Sequence, residues 1–423
     1  MTETPAAFRG LSLSPFRATR YVHRDAELGL ALSPPYDVIT PADRQALVAA
    51  SPTNVVRLIL PEQDEAALAG GDRYQGANVL LDSWLADQTL AVDAVEALFV
   101  YEMAGPDGSV TRGLLGAVEL RDPDDGVILP HENTMAGTVS DRLALMTATE
   151  ANLEPIYLVY DGGGAASRLV ASVSEREPVS QAVTPDGISH RLWAILDRDE
   201  LHRVAGDLAG RRALIADGHH RYATYRQLQA SYHGQPGPWD RGLTLLVDST
   251  SYGPQVHPIH RVIGLPWDEL VTRTQQAARL SGPVPLASVE QLLADADGFA
   301  VALAAGDQAV IVTELDPAAL RRGLGADADT ALGQLDITVL HRVLVEQVWG
   351  LPDDVEHVGY AHDVAEALAG ADERGGTAVL VRATPVQAVA EVAAAGLRMP
   401  RKSTLFTPKP ASGLAIRRFA DQR

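Results

Sequence analysis

Residues 211–229, RRALIADGHHRYATYRQLQ, set an apolar run against Asp217, Gly218, His219, His220, Arg221 and Tyr222, then continue with helical spacing. A strand that gives way to a helix here presents unpaired N–H groups and the positive end of the helix dipole, a combination that holds anions. Gly218 lets the backbone turn and approach a ligand closely. Arg221 in the first helical turn adds a planar fork of donors, and His219 or His220 can donate further hydrogen bonds. Phosphate is the anion these groups suit best. Asp217 would repel phosphate unless it holds a metal ion, orients a histidine or accepts a substrate proton, which makes it a candidate for chemistry. The same pattern is open to a plainer reading, with Asp-Gly as turn and cap and the histidines facing solvent. It is also open to a metal site drawn from His131, Glu132, Asp217, His219, His257 and His260, which offer nitrogen and oxygen ligands. Successive helical residues point about 100° apart, so His219 and His220 would not share one ion directly.

The elements that would position this turn are legible in outline. Ala-Leu-Ser-Pro-Pro-Tyr-Asp-Val-Ile (31–39) leads through Thr40-Pro41, an N-cap and first-turn proline, into a helix ending near Ala50. The run Val55-Val56-Arg57-Leu58-Ile59-Leu60 predicts a strand stopped by Pro61. Helical spacing covers 72–90, and strands at 97–103 and 112–120 flank Gly105-Pro106-Asp107-Gly108, a hairpin signal. A helix from about Ser140 to Asn152 and strands at 156–160, 242–247 and 259–263 follow. Beyond Pro266-Trp267, residues 286–303, 309–315, 335–349 and 377–395 alternate helical and strand patterns, with no repeat at a fixed period. Strands and helices mixed with hairpins predict an α+β (mixed α/β) fold.

Composition narrows the functions. At 423 residues the chain has room for two or three domains. Its 55 acidic against 35 basic residues give a net charge of −20, which disfavours nucleic acid and anionic membranes as partners. Arg211, Arg212, Arg221 and Arg226 would still make a local basic pocket inside that acidic shell. There is no cysteine, so thiolate nucleophiles and cysteine-bound metals are excluded. No apolar run approaches the roughly 18 residues of a membrane span, and residues 1–20 lack a continuous apolar signal segment, so a soluble, cytoplasmic protein is expected.

Eight ordered segments, ALSPPYDVI, NVVRLILP, LPHENT, SDRLALMTATEANLEPIY, ADGHHRYATY, HPIHRVI, LDITVLH and MPRKSTLFTPKPASGL, resemble the bacterial and archaeal family of uncharacterised proteins numbered 1015 among the domains of unknown function. The likeness runs from about residue 12 to 419. More distantly, Gly218-His219-His220-Arg221-Tyr222 followed by Ala223 is similar to the phosphate-binding box of the ParB/sulfiredoxin fold, which grips nucleotide phosphates in sulfiredoxins, ParB-type CTPases and ParB-like free-serine kinases. Where sulfiredoxin has its reactive cysteine this chain has His219, so sulfinic acid repair is excluded. The DNA-clamping role fits poorly with the net charge.

The resemblance implies a nucleotide-binding core over 1–265, with an inserted segment at about 95–205, and a smaller α/β domain over 266–423 whose last segment returns to the site. It implies phosphates on Gly218, His219, His220, Arg221 and Tyr222, with Arg57, Arg142 and Arg261 as further clamps. Asp37, after the rigid Pro34-Pro35-Tyr36, would join Asp217 and Glu132 as the carboxylates available for base or magnesium duty. Lys402, Ser403, Thr404 and Lys409 read either as a second anion clamp or as an edge strand protected by lysines. By analogy with the free-serine kinases, the expected activity is phosphoryl transfer from ATP or ADP with magnesium to a small metabolite such as serine, or a phosphoserine-type phosphatase running on the same site. A non-catalytic nucleotide sensor and, last, a metal-dependent hydrolase are the alternatives.

Overall fold

The computed structural model describes residues 9–23 and 25–422, and it is mixed α/β. Residues 1–8, part of the stretch read for a signal segment, lie outside the described residues. Among the described residues, no helix is long and apolar enough to cross a membrane. The chain forms two compact units. One comprises 1–130, 134–254 and 408–423, the other 131–133 and 255–407. The division falls at 254 rather than at Pro266-Trp267, so the strand His260–Ile263 belongs to the second unit and residues 408–423 to the first.

The first unit is built on a nine-stranded mixed sheet. From one edge its strands run Ile128–Leu129, Ala213–Asp217, Ile156–Tyr160, Arg241–Asp248, Val110–Glu119, Leu98–Ala104, Ser189–Ile195 and Ser180–Val183, with Leu13–Ser14 also paired to Val110–Glu119. The segment at about 95–205, expected as an insertion, thus supplies strands of the same sheet as Ala213–Asp217. Ile156–Tyr160 is buried at every position, as a continuous apolar run covered on both faces should be. The hairpin at 104–110 closes as its turn chemistry predicts. Gly108 takes φ +84, and the Asp107 carboxylate accepts from the Ser109 N–H and hydroxyl. Helix Pro41–Ala50 starts at Thr40 with a reciprocal capping box to Asp43. Helices Ala136–Thr149 and His219–Ser231 pack on one another.

The second unit carries an antiparallel sheet in the order Arg279–Leu280, Gln308–Thr313, Val301–Ala305, Thr377–Leu380, His260–Ile263 and Val358–Ala361. Its core is rich in alanine, including Ala300, Ala302, Ala304, Ala309 and Ala378.

Residues 55–60 correct the sequence reading, because Val56–Ile59 is a helical turn and not a strand. The β-branched run favours a strand locally, but the preceding Asn54 decides otherwise. Its Oδ1 accepts from the Val56 N–H at 2.9 Å, starting the turn, while its amide donates to the carbonyls of Leu30 and Leu32 at 2.8 Å each. Val56, Leu58 and Ile59 are all fully buried, so Arg57 is the one polar side chain in the turn, too little to reveal a helical period. Asn54 therefore ties down the chain entering the loop that carries Ser33 to Asp37. Asn54→Ala removes three hydrogen bonds and leaves two interior carbonyls without their donor. It is expected to cost about 2–3 kcal/mol, read as a lower urea midpoint with an unchanged slope.

Candidate functional site

Asp217 ends its strand at an irregularity. The register with Ile156–Tyr160 shifts between Ile215 and Asp217, which re-aims the last side chain. Gly218 follows in the left-handed region at φ +92 and opens helix His219–Ser231 with no side-chain cap. A Cβ at Gly218 would stand 3.2 Å from the Ile156 Cγ2 and 3.3 Å from the Arg221 Cζ, so both backbone and space favour glycine.

The structure corrects the role expected of Arg221. Its side chain is buried, only 3% exposed, and turns back to donate to the Asp217 Oδ2 at 2.5 Å and to the Pro155 carbonyl. Burial alone would lower the guanidinium pKa, and the charges of Glu154, Asp217 and Asp37 outweigh it and raise it. An arginine so enclosed holds the interior carboxylates together and cannot fork onto a ligand phosphate.

The cation nearer the surface is Lys409. Its Nζ lies 2.6 Å from the Asp217 Oδ1 and 3.2 Å from the Asp37 Oδ2. Burial alone would lower its pKa, and the two carboxylates reverse that and raise it. Asp217 thus has one oxygen on each cation, and Asp37 shares the lysine. Beneath them lies Glu154, a residue the sequence reading missed. Its Oε1 accepts from the Tyr36 N–H at 3.0 Å and the Ser412 hydroxyl at 3.1 Å. Burial pushes the Glu154 carboxyl up, and Arg221 and Arg142 hold that rise back. The signal was present in Leu153-Glu154-Pro155, since a glutamate inside an otherwise apolar strand entry demands partners.

Arg142 stays close to this group as expected, with its guanidinium 4.4 Å from the centre of the Tyr36 ring, but its donors go to the Ile59 carbonyl and to Asp141. Tyr222 donates to the Arg121 carbonyl and is a structural tie rather than a phosphate ligand. His219 is buried, and the His220 Nε2 accepts from the Met135 N–H at 3.0 Å, so neither faces solvent freely as the plainer reading supposed. Arg57 is no clamp: it joins Arg44 on the buried Glu65. The basic pocket expected at 211–226 is dispersed among acidic partners, with Arg211 on Asp207, Arg221 on Asp217 and Arg226 on Asp122.

The remaining expected site residues fall in the second unit. Arg261 is fully buried and donates to the His341 Nε2 and to the carbonyls of Ile259, Arg401 and Lys402. Burial lowers it to about 10, and its fork is consumed internally, so the clamp role is withdrawn. Because the His341 Nε2 accepts, its Nδ1 donates to Asp353 at 2.8 Å. Glu132 acts on Arg261 and Tyr360 through its charge. The Ser403 hydroxyl is buried and donates to the Pro400 carbonyl, and Thr404 bonds His131, while the Lys402 side chain is exposed. Of the proposed terminal clamp, only Lys409 belongs to the first unit. Among the described residues, no group of three or more His, Asp or Glu is arranged to hold a metal ion.

Lys409 also borders a pocket of about 490 Å³ in the first unit, walled by Leu32, Pro35, Ile39, Leu47 and Ile188. On its wall, the Ala411 N–H donates to the Tyr101 hydroxyl at 3.0 Å, which leaves that hydroxyl's own hydrogen for the His190 Nδ1 at 2.9 Å. The His190 Nε2 then donates to Thr184, whose hydroxyl reaches Asp186 at 2.6 Å. Burial pushes His190 down to about 4, in keeping with a neutral ring.

The family profile described as protein of unknown function (DUF1015) matches residues 13–338. The chain belongs to that family. No curated protein matches this DUF1015 member. Among solved structures it is similar to a free serine kinase variant in complex with AMP, at 14% identity and a TM-score of 0.34, covering 66% of this chain and 84% of that one. It is also similar to a conserved hypothetical protein from Pyrococcus furiosus, at 15% identity and TM-score 0.34, over 67% and 88% of the two chains. A third, SbnI with a C-terminal truncation from Staphylococcus aureus, gives 11% identity and TM-score 0.37 over 72% and 87%.

Two outcomes test the DUF1015 site as an electrostatic unit. Arg221→Met leaves Asp217 to Lys409 alone and Glu154 to Arg142 alone, both short of their buried cation, and should cost about 3–5 kcal/mol in chemical denaturation; a loss below about 1 kcal/mol would contradict the assignment. His190, depressed in the folded state, contributes stability that is present above pH 6.5 and lost as pH falls toward 4. Wild type should therefore lose on the order of 3 kcal/mol more than His190→Asn across that window, measured by urea midpoints at each pH.

Proposed function

We propose that the first unit binds a magnesium nucleotide beside Lys409 and transfers its terminal phosphoryl group to a hydroxyl of a small metabolite. The observation that carries this reading is the Lys409 ammonium held between the Asp37 and Asp217 carboxylates at the edge of a pocket of ligand size. A cation so placed exchanges its carboxylate partners for phosphoryl oxygens without leaving the site. Its raised pKa keeps it charged for that purpose.

The donor set suits magnesium, which is commonly held by one or two carboxylates together with substrate phosphates. Asp217, fixed by Arg221, is the residue that would hold it, and the ion when bound neutralises charge on the transferring group. Asp37 is the more exposed of the two carboxylates and accepts the proton of the acceptor hydroxyl. The acceptor oxygen then bonds to the terminal phosphorus, the bond to the leaving diphosphate breaks, and the proton rests on Asp37. Arg221 positions Asp217 and stays out of the reaction.

Thermal-shift and calorimetric titrations with magnesium ADP and ATP check this directly. The wild-type chain should bind both. Lys409→Met should weaken binding by about tenfold or more. Asp37→Asn should keep nucleotide affinity within a few-fold and lose phosphoryl transfer to hydroxyl-bearing metabolites by about 100-fold or more. A wild-type chain that binds neither nucleotide would overturn the reading.

A further inference from the structure

The pocket beside Lys409 is larger than phosphate recognition needs. At about 490 Å³ it has room for an organic group well beyond a phosphoryl, and its walls are chemically divided. The broad surfaces are apolar: Pro34 and Pro35 contribute ring carbons, and Ile39, Leu47 and Ile188 add branched aliphatic surface. Between them stand the polar groups Thr184, Asp186 and His190. Thr184 and His190 spend their hydrogen bonds within the protein, whereas Asp186 is exposed and takes the Thr184 hydroxyl and the Ile188 N–H on Oδ1, which leaves Oδ2 for a ligand donor. A planar heteroaromatic ring matches both kinds of wall, with apolar faces for the prolines and isoleucines and an N–H edge for the Asp186 carboxylate.

The wall and the cation are also mechanically linked. Ala411, two positions after Lys409, donates its N–H to the Tyr101 hydroxyl, and that hydroxyl is held by His190. His190 in turn rests on Thr184. A ring settling against Thr184 therefore touches the same chain of bonds that fixes the segment presenting Lys409.

We infer that this pocket receives the base of a nucleotide whose phosphates meet Lys409, with Pro34, Pro35, Ile39 and Ile188 packing on the ring and the Asp186 carboxylate reading its edge. Tyr101 and His190 are positioning residues for the lysine segment. The inference rests on the nucleotide reading above and adds where the base lies.

The test uses the full chain and three probes: magnesium ADP, magnesium tripolyphosphate, which has no base, and decyl phosphate, which has an alkyl chain instead. Ala46→Trp, on the helix bordering the pocket, fills the space. Val38→Trp, at a position 45% exposed, does so from a more tolerant site should the first variant fold poorly. Both should weaken ADP by about tenfold or more and leave tripolyphosphate within about twofold. Lys409→Met should weaken both probes together. Unchanged ADP affinity in both tryptophan variants, or decyl phosphate outcompeting ADP in the wild type, overturns the base assignment while the phosphate site stands. Wild-type binding of neither ADP nor tripolyphosphate overturns the nucleotide reading itself.

Discussion

Asp217 ends its strand bound to two cations, Arg221 from the helix that follows and Lys409 from near the end of the chain. A carboxylate this close to the interior is tolerable only with such partners, because desolvation of an unpaired charge costs several kcal/mol. The neighbouring features lean on this pair of contacts. Gly218 must take its left-handed turn so that Arg221 can fold back, Pro155 must offer its carbonyl, and Glu154 must lie where the same guanidinium offsets its charge. Loosening Asp217 would leave the lysine to Asp37 alone and Arg221 to Glu154 and the Pro155 carbonyl.

The two cations divide the work. Arg221 is held among protein groups on all sides and serves the fold. Lys409 is shared by two carboxylates nearer the surface, and its single charged end can swing toward an incoming anion. The site is thus poised by competition. On the proposed reading, ligand phosphate displaces carboxylate from ammonium, and the carboxylates released hold a cation or take a proton.

Much of this was legible in the chain, for physical reasons that can be named. Strand Ala213–Asp217, the glycine turn and helix His219–Ser231 follow from an apolar run broken by Asp-Gly, and the hairpin after Ala104 follows from its turn residues. The helix at Pro41 follows from Thr40 and Asp43. Three things were hidden. Arg221 read as a ligand fork because periodicity cannot distinguish an arginine facing out from one folded onto the residue four before it. Val56–Ile59 read as a strand because the deciding bonds come from Asn54 to carbonyls more than twenty positions away. Arg57 and Arg261 read as clamps because their partners, Glu65 and His341, meet them only in the folded chain. Lys409 was singled out, but which acids it would join depended on the return of residues 408–423 to the first unit.

That return has a consequence for how the protein is made. The first unit draws on both ends of the sequence, so a growing polypeptide that has finished its large sheet still lacks the ammonium that tethers Asp217 and the Ser412 hydroxyl that meets Glu154. Until synthesis has passed residue 412, those acids are without two of their partners, and this charged cluster comes into being as one of the last acts of maturation. Fragments that stop earlier, however well their sheets form, would carry an unfinished centre.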